Sequence, residues 1–182
     1  MIIFSIILFY KSKYSFHKGG NNMAQGKTNA MRILDSKKVS YELITYDNTD
    51  GKIDGLSVAE KINRDPKWVY KTLVAYGSSK QVYVFIIPVG DELDLKKAAK
   101  AAGEKKIEMI PVKDIQKLTG YIRGGCSPVG MKKQYPAFIA VQALELERIV
   151  VSGGRIGLQM EMHPRDLMQA IQGEEADICK TV

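Results

Sequence analysis

Glycine, lysine, serine and cysteine carry the chemistry this chain can offer, and two groupings stand out. The segment Gly120-Tyr121-Ile122-Arg123-Gly124-Gly125-Cys126-Ser127-Pro128-Val129-Gly130 holds four Gly and one Pro in eleven residues. That density excludes a helix or a central strand. Such a loop can turn its N–H groups toward one point and bind an anion or a carbonyl oxygen, or it can be a plain connection. The second grouping is Lys71, set among Val69, Tyr70, Leu73 and Val74. Either it faces solvent on the alternate side of a strand, or it faces a pocket where its ammonium would hold a phosphate or carboxylate. A further Gly-rich stretch, Ser152-Gly153-Gly154-Arg155-Ile156-Gly157, joins two strands and reads as a wide hairpin.

Other combinations exclude themselves. Gly26-Lys27-Thr28 lacks the earlier Gly of a phosphate-binding loop, since Asn21 stands five residues before Gly26. Cys126 has no histidine partner that spacing can supply, because His163 opens a helix ahead of Pro164, so it reads as a small buried thiol. Two Cys without a CxxC, and two His, give no zinc motif, and neither a metal nor a cofactor is expected. The pairs Lys96-Lys97, Lys105-Lys106 and Lys132-Lys133 read as solvated faces that together can guide a nucleic-acid backbone.

Positioning these residues falls to a mixture of elements. Thr28 can cap a helix with Ala30, Ile33 and Leu34 on one face, ended by Lys37-Lys38. Residues 39–46 alternate as a strand, 47–56 form a turn-rich loop, and Ser57 caps a short helix stopped by Asp65-Pro66. Residues 68–76 and 81–88 read as a hairpin across Gly77-Ser78-Ser79. Asp94 opens a helix that Gly103 closes, and Pro111–Leu118 is another, with Gly120 after it. Strands at about 137–142, 147–152 and 156–162 and a helix near 164–172 complete the chain. Hairpins without strict βαβ alternation predict one mixed α/β domain with a largely antiparallel or mixed sheet.

Composition adds bounds. The 182 residues are 45% hydrophobic and 26% charged, an ordinary globular balance. Residues 1–22 stand apart: they hold three Lys and no acid, and three of the five Phe. Their apolar run, Met1 to Tyr10, is shorter than the roughly 20 residues a membrane span needs, and its lysines follow the run, where a signal peptide would place them before it. Lys18-Gly19-Gly20 can be encoded by a ribosome-binding sequence placed just ahead of the Met23 codon. The expectation is a translated leader or disordered extension over 1–22 and a folded unit over 23–182. On that reading the net charge falls from +7 to +4, with 24 basic against 20 acidic residues.

Thr45-Tyr46-Asp47, Val69-Tyr70-Lys71-Thr72-Leu73, residues 93–109, Thr119–Lys133 and Val151–Glu161 together resemble the YbaK/EbsC family of trans-editing aminoacyl-tRNA deacylases. That family belongs with the editing domain of bacterial prolyl-tRNA synthetase, and the closest subgroup is the Cys-tRNA(Pro) deacylases. The resemblance runs from about Lys27 to Cys179. It implies a central mixed, barrel-like sheet flanked by helices, and a cytoplasmic enzyme hydrolysing cysteine mischarged onto proline tRNA. A synthetase pocket built for proline rejects a residue of such similar size poorly, and a second sieve removes the product. The implied partners are the 3′ acceptor end of mischarged proline tRNA and prolyl-tRNA synthetase, with no membrane and no DNA.

The resemblance also assigns roles. Lys71 would hold the phosphate or ribose of the terminal adenosine and orient the ester. Gly124 and Gly125 would bring backbone close to the scissile carbonyl. Tyr46 would line the aminoacyl pocket, Thr72 would help position Lys71, Ser152 would stand at the pocket side, and Pro128 would fix the loop. The implied reaction is substrate-assisted: the cysteine's own thiol attacks its carbonyl and leaves as a cyclic thiolactone. Two departures stand out. Cys126 replaces an aliphatic residue, and a pocket aromatic is replaced near Ile53 or Asp54, which bears on side-chain selectivity. Deacylation of another small mischarged residue such as alanine, and a non-catalytic tRNA- or protein-binding regulator, are the alternatives.

Overall fold

The computed structural model describes residues 26–180; the expected leader over 1–22 lies outside them. Helix α1, Asn29–Ser36, starts where Thr28 accepts a hydrogen bond from the Met31 N–H, and buries Ala30, Met31 and Leu34. Strand β1, Glu42–Thr45, leads to the loop 46–53. Helix α2, Gly55–Lys61, begins one turn earlier than Ser57 predicts, because the cap is Asp54, whose carboxylate accepts from the Ser57 N–H at 3.1 Å and from its hydroxyl at 2.6 Å. A 3-10 turn, Pro66–Trp68, feeds β2, Tyr70–Gly77, and the hairpin closes with β3, Val82–Pro88. β3 is buried throughout because it lies inside a sheet covered on both faces.

Helix α3, Leu95–Ala101, is capped by Asp94, and Gly103 takes a positive φ of 66° just beyond it. The rest of the chain gives β4, Ile107–Met109; α4, Val112–Thr119; β5, Ala137–Ala140; β6, Ile149–Arg155; β7, Leu158–Met162; α5, Pro164–Ile171; and β8, Glu174–Ala176. Ser152–Arg155 is not the expected turn. β6 runs on through both glycines with an irregular register between Ser152 and Arg155, and only Ile156-Gly157 turns. Glycine inside a strand is the usual mark of such an irregularity.

The eight strands of the described residues form two sheets. One is antiparallel, in the order β1-β7-β6; the other is mixed, in the order β4-β2-β3-β5-β8, with β5 parallel to both its neighbours. The domain is therefore mixed α/β and largely antiparallel, as expected. The sheets do not merge into one closed barrel; a single parallel bridge, Val69 to Val150, links them. The main core packs Phe85, Ile86 and Ile87 against Met160, Met162 and Leu167. A second cluster sits where the sheets meet: Tyr46, Val58, Ala59, Ile62, Val69, Val89 and Val150.

Candidate active site

Beyond the Val69–Val150 bridge the two sheets diverge, leaving a cleft of about 410 Å³. β2 contributes Lys71 and Thr72, β6 and β7 contribute Ser152 and Gln159, the glycine loop contributes Arg123, Gly124 and Cys126, and the start of α2 closes one wall. Lys71 thus faces a pocket. Its ammonium donates to the carbonyls of Val89, at 3.1 Å, and Asp91, at 2.6 Å, in the chain leaving β3. An ammonium has three protons, so one is left for a ligand. Burial holds its pKa below the ordinary lysine value, opposed by the charges of Asp91 and Glu92.

Gly124 takes a φ of 83°, and a Cβ there would stand 2.6 Å from Ile53 Cδ1. Only glycine fits that conformation and that approach without strain. Gly125 lies against the turn after β6 and does not line the cleft. A Cβ on it would meet Arg155 Cα and the Ile156 N at 3.0 Å, and its N–H is spent on Ile122 O at 3.0 Å. The loop is held by a strut the sequence did not suggest: the Tyr121 hydroxyl donates to Val129 O at 2.6 Å, while its N–H reaches Thr119 Oγ1 at 3.0 Å. Pro128 lies on this loop but faces a separate hollow of about 160 Å³ against α1 and α5.

Tyr46 packs behind Val58, Val69 and Val89, residues that do line the cleft. Its ring carries the Lys61 ammonium at 5.8 Å, and its buried hydroxyl has no partner among the described residues. Thr72 follows Lys71 in the cleft, its hydroxyl buried and likewise without a partner among the described residues. Cys126 is pushed up to about 11 by burial, so its thiol is neutral at physiological pH. His163 stands away from the cleft; its Nδ1 accepts from the Arg165 N–H at 3.2 Å as the cap of α5.

Sequence reasoning passed over Gln159 and Arg123. A signal for Gln159 existed. In β7, Leu158, Met160 and Met162 alternate with Gln159 and Glu161, and all five are buried. Two buried polar residues on one face of a strand require partners. Glu161 has one: Arg64 Nη2 donates to it at 2.9 Å and Nε at 3.4 Å. Gln159 has none among the described residues and borders the cleft instead.

The model of the aminoacyl-tRNA editing domain matches residues 56–170, a span that holds α2, β2 and the glycine loop. The chain belongs to the aminoacyl-tRNA editing domain family. That membership makes it a hydrolase of the kind the resemblance implied. Over 154 residues it is 44% identical to an Enterococcus faecalis protein named as a Cys-tRNA(Pro)/Cys-tRNA(Cys) deacylase, EbsC, covering 85% of this chain and 94% of that one. A solved structure described as a trans-editing enzyme for prolyl-tRNA synthetase superposes with a TM-score of 0.75 at 20% identity, over 84% of this chain and 96% of that one. Another, described only as a hypothetical protein, gives 0.77 at 20% identity over 84% and 100%. At these identities the two structures support the fold alone.

Proposed function

We propose that this chain, as an editing domain over residues 23–182, hydrolyses cysteine mischarged onto proline tRNA, working with prolyl-tRNA synthetase. The observation that carries the reading is the pairing in one cleft of the Lys71 ammonium with the Gly124 backbone, beside a Cys126 thiol too protonated to act as nucleophile. The nucleophile is then the substrate's own thiol. Its sulfur bonds to the carbonyl carbon, the bond from that carbon to the ribose oxygen breaks, and the thiol proton goes to the departing oxygen. A four-membered thiolactone leaves, and water opens it to free cysteine.

On this reading Lys71 contributes its free proton to an oxygen of the terminal adenosine, a charge-assisted contact. Gly124 lets backbone approach the developing oxyanion. Thr72 and Ser152 bound the space around the ester, Tyr46 backs its wall, and Gly125 and Pro128 keep the loop in shape. The test is single-turnover hydrolysis of Cys-tRNA(Pro), with Cys-tRNA(Cys) and Ala-tRNA(Pro) alongside. Cys-tRNA(Pro) is cleaved, and Lys71→Ala loses about 10²–10³-fold in rate while keeping its fold by circular dichroism. Faster cleavage of Ala-tRNA(Pro), or full activity in Lys71→Ala, would overturn the assignment.

A further inference from the structure

Strand β2 is paired along its whole length on one side only. β3 runs beside it from Tyr70 to Tyr76. On the other side β4 covers only Ala75–Gly77, and the bridge to β6 reaches only Val69. The edge between them borders the cleft.

An antiparallel ladder alternates: one residue exchanges both backbone bonds with its opposite, and the next points both groups away. The phase is fixed at both ends of the hairpin, where the Gly77 N–H donates to Gln81 O at 2.8 Å and the Val89 N–H to Val69 O at 2.8 Å. Odd-numbered residues of β2 therefore bond to β3, and even-numbered ones point outward. Val74 confirms the phase, since its carbonyl accepts from the Ile110 N–H at 3.1 Å on the outer side. Thr72 is the outward-pointing residue where no strand pairs with the edge, and no loop backbone bonds to it among the described residues. Thr72 is half-buried at the cleft, so these backbone groups are open to a ligand or to water.

The cleft holds a second group open to a ligand. Gln159 is 5% exposed, borders the same cleft, and its side-chain amide makes no hydrogen bond among the described residues. Its cross-strand neighbour Ser152 faces the cleft from the same side of the sheet. The carboxylate bordering this space, Asp54, is engaged by the Ser57 N–H and hydroxyl as a helix cap. Lys71 and Arg123, the cations there, repel an ammonium.

We propose that the open peptide edge at Thr72, together with the Gln159 amide, seats the aminoacyl group of the substrate. The Thr72 carbonyl and Gln159 Oε1 accept from the α-ammonium, and the Thr72 N–H donates to the ester carbonyl oxygen. An aminoacyl ester suits this edge because it presents a donor and an acceptor about as a strand residue does, so it binds like the first residue of an added strand. The inference rests on the deacylase reading and names how that site recognises its substrate.

Amide hydrogen exchange by NMR, with and without the amide-linked analogue 3′-cysteinylamino-3′-deoxyadenosine, tests it. In the free protein the Thr72 amide exchanges about 10²-fold faster than those of Lys71 and Leu73, which bond to β3. Saturating analogue slows Thr72 at least tenfold and leaves its neighbours unchanged. Gln159→Ala weakens analogue binding roughly tenfold, and N-acetylation of the analogue, which removes the ammonium, abolishes that difference. Slow exchange at Thr72 in the free protein, or shifts at Lys71 and Gly124 without protection at Thr72, overturns the seat and leaves the deacylase reading intact. An affinity unchanged in Gln159→Ala removes Gln159 from the seat. Absence of any shift in the cleft overturns the deacylase reading and the seat with it.

Discussion

Cys126 is the residue whose environment most sharply separates this site from a cysteine hydrolase. Cys126 borders the cleft, yet burial pushes its thiol pKa up to about 11. Cys126→Ala should therefore leave deacylation within about twofold of the parent, and alkylation by iodoacetamide should be slow at pH 7–8 and accelerate toward pH 11. Rapid alkylation at pH 7, or a collapse of activity in the alanine variant, would mean that the protein supplies a nucleophile. Gly124 is constrained twice, by its φ of 83° and by Ile53 Cδ1 at 2.6 Å from any added Cβ. Gly124→Ala should cost about 1–3 kcal/mol of stability and at least tenfold in rate. Ile53→Ala in the same chain should recover part of the stability, because it removes the clash and leaves the backbone strain. Lys71 and the glycine loop were legible in the sequence as charged and permissive residues. Whether Lys71 faced solvent or a pocket was not, since strand alternation allows both and only the divergence of the sheets decides.

At the scale of elements, short-range chemistry was legible wherever a cap or a period acted within a few residues. Thr28 and Asp94 open their helices and Gly120 closes its own, as read. Asp54 displaced Ser57 as a cap because the carboxylate takes both the N–H and the hydroxyl of Ser57. The three-residue strands β4 and β8 were not legible; neither is long enough to show a period, and each exists by pairing with a strand far along the chain. The β2–β3 hairpin also depends on a remote residue. Glu104 accepts from the hydroxyls of Ser79, Ser78 and Tyr83, and the first two hold its pKa down to about 2 from a reference of 4.5. A carboxylate with a lowered folded pKa contributes its stability fully above the reference value and loses it as pH falls toward the folded one. Glu104→Gln should therefore melt lower than the parent at pH 7. The gap should close between pH 4.5 and about 2, and a gap independent of pH would show that the loss is one of shape.

The whole molecule explains why the site exists. Two sheets joined at one bridge diverge to leave a cleft, and the glycine loop closes it. That arrangement depends on contacts between residues far apart in sequence, such as the parallel pairing of β3 with β5 and the bridge from Val69 to Val150. No local pattern encodes them; the family resemblance implied one central barrel-like sheet, and the described residues form two sheets that do not close into a barrel. Among the described residues no helix is long and apolar enough to cross a membrane. The ion pair from Arg64 to buried Glu161 ties the turn after α2 to β7. Arg64→Ala strands that carboxylate and should lower stability by about 1–3 kcal/mol in denaturant melts; an unchanged midpoint would show that α2 is held by its apolar face alone. The central claim is that the substrate's own thiol is the nucleophile. Its most direct test compares single-turnover hydrolysis of Cys-tRNA(Pro) with that of Ser-tRNA(Pro), which differ only in sulfur for oxygen. Cysteine should be released at least about 10²-fold faster, because a hydroxyl is a far weaker nucleophile than a thiol near neutral pH, and equal rates for the two would contradict the account.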